Sequence, residues 1–71
     1  MKTYANWREA YEHANPGEWL ARCGEERPDV VISPENILLP NDRHEIPFQS
    51  LQHTDLLLRT LHYDAGTWIV G

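Results

Sequence analysis

The residues of this sequence that could do chemistry are few and scattered. The one thiol is Cys23, and the imidazoles are His13, His44, His53 and His62. Zinc sites draw on clustered ligands, such as Cys-x-x-Cys or two histidines one helical turn apart. No such pair occurs here. His53 and His62 stand nine residues apart, on opposite faces of any continuous helix. The histidines therefore read as surface or hydrogen-bonded groups.

Cys23 with a histidine is the only possible thiol dyad, and its neighbours Trp19 and Leu20 suggest a small packed hydrophobe instead. Asp55 or Asp64 with a histidine would make an acid–base pair. Such pairs arise from composition alone among eleven acids and four histidines. The glycines, Gly17, Gly24, Gly66 and Gly71, are dispersed and form no phosphate-cradling loop. A chain of 71 residues has little room for a concave substrate pocket. The expectation is a protein that is not an enzyme, with no cofactor and no metal.

Charge narrows the partners. Eleven acidic against six basic groups give a net charge of −5. Nucleic acids and anionic membrane surfaces select basic faces, so neither is expected as a partner. Arg8 beside Trp7 and Arg22 near Trp19 would make a small basic spot, but Glu9, Glu12 and Glu18 surround it, and helical i, i+4 pairing explains it better. The acidic balance reads as a solvated surface. Its sharper form is an acidic patch that meets a basic partner.

What remains is a set of anchors for a protein contact. Interfaces concentrate Trp, Tyr and Arg at their centres. Tyr4, Trp7, Arg8, Tyr11, Trp19 and Arg22 supply such a set near the N-terminus. Core packing is the competing role for every aromatic among them. A domain this small cannot bury all its apolar side chains, and an exposed apolar cluster usually marks a contact site.

The elements that must hold these residues follow from periodicity. Tyr4, Trp7, Tyr11 and Ala14 recur at helical spacing and predict a first helix capped by Thr3. Asn15-Pro16-Gly17-Glu18 then predicts a second helix start, with Asn15 as cap, Pro16 at the first helical position and Glu18 reaching back to the cap. This short helix would bury Trp19, Leu20 and Cys23 and stop at Gly24. The two helices would form a corner with Trp7, Tyr11 and Trp19 near its seam.

Beyond a polar connector from Glu25 to Asp29, the pattern changes. Val30-Val31-Ile32 predicts a buried strand, and Ser33-Pro34-Glu35-Asn36 a type I turn. Ile37-Leu38-Leu39 returns as a second strand, the alternative being one helical turn begun at Pro34. Pro40-Asn41-Asp42 breaks the chain. Glu45 to Phe48 is at best an edge strand, because Pro47 cannot donate to a ladder. After a helix capped by Ser50, two readings stand. The helix either runs through Leu61, with Thr67 to Val70 as a terminal strand, or ends near Leu57. In the latter case Arg59 to Tyr63 pairs with Thr67 to Val70 across Asp64-Ala65-Gly66. The β-forming composition favours this hairpin.

The fold class is therefore α+β: an N-terminal helical corner packed on a small antiparallel sheet, with a C-terminal hairpin or terminal strand. Residues 1–71 form a single domain. The Met1 start suggests a complete small gene product. A lone cysteine, no signal-peptide pattern and no apolar run of membrane length place it in a reducing, cytoplasmic compartment. The functional expectation is a small acidic module that binds and modulates, by inhibition, a larger protein, as a regulator, antitoxin or phage-type anti-defence protein would. The alternatives are a structural subunit that forms a homodimer and, more remotely, a metal- or thiol-dependent enzyme. A terminal strand ending at Gly71 would leave an edge able to pair with another chain.

Overall fold

The structure is a computed structural model that describes residues 2–40 and 45–71. Asn41, Asp42 and His44, which carry part of the predicted chain break and one imidazole, lie outside the described residues. The elements run β1 (Thr3–Asn6), α1 (Trp7–His13), β2 (Leu20–Cys23), β3 (Pro28–Ile32), β4 (Asn36–Leu38), β5 (Glu45–Pro47), α2 (Leu51–Thr60) and β6 (Ala65–Val70). The six strands form one antiparallel sheet in the order β1-β6-β2-β3-β4-β5. The fold is α+β, as expected, but it has no helical corner.

Two local features explain the difference at the N-terminus. Thr3 to Asn6 is a strand, with Tyr4 paired to Trp68. The cap of α1 is Asn6, not Thr3: its Oδ1 accepts from the Glu9 amide at 2.9 Å. The Glu9 carboxylate in turn accepts from the Ala5 amide at 3.3 Å, one residue before the cap. Asn6-x-x-Glu9 is thus a variant of the capping box, a signal present in the sequence and hidden by the longer Tyr4–Ala14 periodicity.

Asn15-Pro16-Gly17-Glu18 is a tight turn rather than a helix start. The Glu18 amide donates to the Asn15 carbonyl at 3.0 Å, and Gly17 has φ +91°. Proline second and a positive-φ glycine third are the requirements of a type II turn, and that glycine conformation is not helical. Glu18 does reach back, accepting from the Asn15 amide at 2.6 Å, but it braces the turn. The Leu20–Cys23 segment therefore emerges as a strand despite the helix-forming residues Leu, Ala and Arg. Pairing with β3 on one side and β6 on the other outweighs local propensity.

Other elements match their sequence signals. β3 contains Val30-Val31-Ile32 and turns through Ser33–Asn36, where the Ser33 amide donates to the Asn36 carbonyl at 2.9 Å and Ser33 Oγ accepts from the Asn36 amide at 3.0 Å. β4 follows as a strand, not a helical turn. β5, with Pro47, is an edge strand. Ser50 caps α2, accepting from the His53 amide at 3.0 Å.

The helix continues to Thr60, so the Arg59–Tyr63 hairpin does not form. His62 and Tyr63 instead close a Schellman motif. The His62 amide donates to the Arg59 carbonyl at 3.2 Å and the Tyr63 amide to the Leu58 carbonyl at 2.8 Å. His62 takes φ +62°, the left-handed position usually given to glycine. β6 then enters the middle of the sheet between β1 and β2. Both of its edges are paired, so it offers no open edge to another chain.

Both helices lie on one face. Register puts Tyr4, Trp68, Val30, Leu20, Ile32, Ile37 and Ile46 on the covered side. There Trp7 and Ala10 of α1 and Leu58 of α2 join Leu20, Val30, Ile32, Ile37 and Trp68 in one core. Trp7 and Trp68, the two largest of these side chains, are fully buried. No helix among the described residues is long and apolar enough to cross a membrane.

Candidate functional site

The anchors expected at one contact site are dispersed by the fold. Trp7 is fully buried in the core. Tyr4 is half-buried on β1 and stacks on His13, with ring centroids 5.0 Å apart. Arg8 is exposed and faces Asp55 at 3.5 Å, not a helical neighbour. Arg22 lies on the covered side of β2. Its Nε donates to the Ala65 carbonyl at 2.9 Å, its Nη1 pairs with Asp29, and its guanidinium stands 5.5 Å from the Tyr63 ring centroid. These bonds make Arg22 a strut between β2, β3 and the start of β6. Tyr11 and Trp19 remain exposed, at 38% and 43%, but on opposite sides of the sheet.

Trp19 belongs to the face that no helix of the described residues covers. It precedes β2, where its carbonyl accepts from the Gly71 amide at 2.9 Å and extends the β2–β6 ladder. Its indole occupies the place where a Cβ on Gly71 would stand. Alternation puts Ala21 on the same face, and register aligns Ile69, Ala21, Val31 and Leu38 side by side across β6, β2, β3 and β4. Thr3 and Glu45 finish this row at the two edge strands. Ala21 is only 1% exposed because its larger neighbours shield its methyl. Leu38 is 37% exposed, while Val31 and Ile69 are half-buried. A one-sided antiparallel sheet ordinarily shows polar side chains to water. This one shows an apolar row with a tryptophan beside it. The sequence signal was available, since Val31 sits between the core residues Val30 and Ile32, and Ile69 between core Trp68 and half-buried Val70, where alternation calls for polar ones.

The covered side has a groove of its own. About 330 Å³ of space opens between the end of α1, the type II turn and the β3–β4 turn. Leu20 and Ile32 form part of its lining, Tyr11 and Phe48 stand beside them, and Glu18 is the one charged lining residue among those described. The Tyr11 and Phe48 rings are nearly parallel, 7° apart in orientation with centroids 6.5 Å apart. Glu18 has no cationic partner among the described residues. Phe48 is fixed by its backbone, whose amide donates to the Glu35 carbonyl at 2.8 Å.

Among the described residues, the thiol and the imidazoles stand apart from one another. Cys23 is exposed at the end of β2, not packed on an inner helical face. His13 stacks on Tyr4, while His53 lies in the first turn of α2 and His62 beyond its last. Among the described residues, no group of three or more His, Cys, Asp or Glu side chains is placed to hold a metal ion. The chain matches no protein-family model, no curated protein and no solved structure.

Proposed function

We propose that this chain is a protein-binding module whose contact surface is the helix-free face of the sheet, with Trp19 as its anchor. The partner is a larger protein presenting an apolar patch rimmed by basic side chains, and binding modulates that partner by occluding the patch. The observation that carries the reading is the row Ile69–Ala21–Val31–Leu38 beside a 43% exposed tryptophan. Tryptophans in that setting contribute disproportionately to interfaces, since they remove a large apolar area from water for little lost freedom. The net charge of −5 favours encounter with a basic rim and disfavours pairing of two like-charged copies.

The test compares capture by the tagged wild-type protein with capture by Trp19→Ala and Val31→Glu/Leu38→Glu variants, each shown to be folded. The expected result is one protein recovered near equal stoichiometry by the wild type and lost with both variants. It should be retained by Leu56→Ala, which alters an exposed leucine on α2. Retention by the face variants, or a wild-type protein that only pairs with itself in sedimentation, would replace this reading.

A further inference from the structure

We infer that the groove beside α1 receives an arginine side chain of a partner protein. Three features of the groove converge on that chemistry. Leu20 and Ile32 give an apolar lining suited to a three-methylene stem. Tyr11 and Phe48 offer ring surface of the kind on which a guanidinium plane stacks. Glu18 supplies one carboxylate. Its Oε1 already accepts from the Asn15 amide, which fixes the group in place, and Oε2 has no hydrogen-bond donor among the described residues. Among the described residues no cation offsets the Glu18 charge, and a groove with that charge beside aromatic rings favours a cation.

The preference for arginine over lysine follows from shape. A planar guanidinium can stack on a ring and donate in its own plane to a carboxylate at the same time, whereas an ammonium makes only one of these contacts well. The size agrees. About 330 Å³ sits at the bottom of the range for small-molecule pockets and suits one long side chain. Arg22 shows the same chemistry within this protein, pairing with Asp29 beside the Tyr63 ring.

The inference rests on the protein-binding reading only in that a partner must present the arginine. The groove lies on the helix side of the sheet, away from Trp19, so the two readings fail separately. The test is an amide-shift NMR titration of the intact protein with a capped Ala-Arg-Ala peptide. Citrulline and lysine peptides of the same length serve as comparisons. Saturable shifts are expected at Tyr11, Glu18 and Phe48, with affinity about tenfold weaker for the neutral citrulline peptide and intermediate for lysine. Glu18→Gln should reduce the arginine affinity to the citrulline level, and Leu56→Ala, at an exposed position on α2 outside the groove, should leave it unchanged. Equal affinity for arginine and citrulline, shifts centred elsewhere, or no saturable binding would each overturn the assignment. The citrulline comparison needs no substitution, so it decides the matter even if Glu18→Gln disturbs the turn.

Discussion

Trp7 and Asp55 lie far apart in sequence and meet through one hydrogen bond, from indole Nε1 to carboxylate Oδ1 at 3.0 Å. The other carboxylate oxygen faces Arg8 and Arg59, each at 3.5 Å. This contact joins α1 to α2 at the edge of the core, and it lets a fully buried tryptophan keep its N–H satisfied. Asp55→Ala should lower stability by about 1–3 kcal/mol, because the indole donor would be stranded. Asp55→Asn retains an acceptor and should cost less, about 1 kcal/mol, the loss of two 3.5 Å ion pairs whose arginines are exposed. Urea denaturation followed by tryptophan fluorescence would measure both.

Thr54 is fully buried on α2, and its Oγ1 has no hydrogen-bond partner among the described residues. Valine has nearly the same shape without the unsatisfied hydroxyl. Thr54→Val should therefore raise stability, by about 1 kcal/mol, with no change in the circular dichroism spectrum.

His62 holds φ +62° at the end of α2. Glycine adopts that conformation without the steric penalty of a Cβ, so His62→Gly should stabilise the fold by about 0.5–1 kcal/mol, read as a higher melting temperature. A β-branched residue such as valine at the same position should destabilise it. The two substitutions moving stability in opposite directions would tie the effect to backbone geometry rather than to the imidazole.

Alanine substitution should separate the two tryptophans that sequence reasoning grouped together. Trp7→Ala removes a fully buried side chain at a cost of about 3–5 kcal/mol, comparable to the whole stability of a domain this size, and should unfold it. Trp19→Ala should leave a folded protein and weaken partner binding by at least about 2 kcal/mol, measured by calorimetry with the captured partner.

Much of the sheet was legible because its signals were local. Val30-Val31-Ile32 announced β3, Pro47 an edge strand, and Ser50 the start of α2. Errors came where a signal had two physical meanings. Proline and glycine after Asn15 serve a helix cap and a type II turn equally well, and only the positive φ of Gly17 decides. Leu20 to Cys23 has helix-forming composition and becomes a strand through partners on both sides, a cause no local window contains. At the C-terminus, Arg59 to Tyr63 has strand-like residues but is claimed by the helix and its Schellman closure, because β6 has better partners in β1 and β2. The exposure of the aromatic residues was half legible. Exposure of Tyr11 and Trp19 follows from there being too little core, but their separation by the sheet depended on the misread turn.

The place of β6 has a consequence for synthesis on the ribosome. The last strand to be made is the one that joins β1 to β2, so residues 65–70 act as a keystone. A nascent chain halted before Ala65 would hold the β2–β5 meander with an open flank at β2, while β1 and the cap of α1 had nothing to lean on. Its contacts are among the most distant the chain can make, with Thr3 against Ile69. The sheet can therefore be completed only after residues 65–70 are made, and until then β1 and β2 lack the strand that joins them.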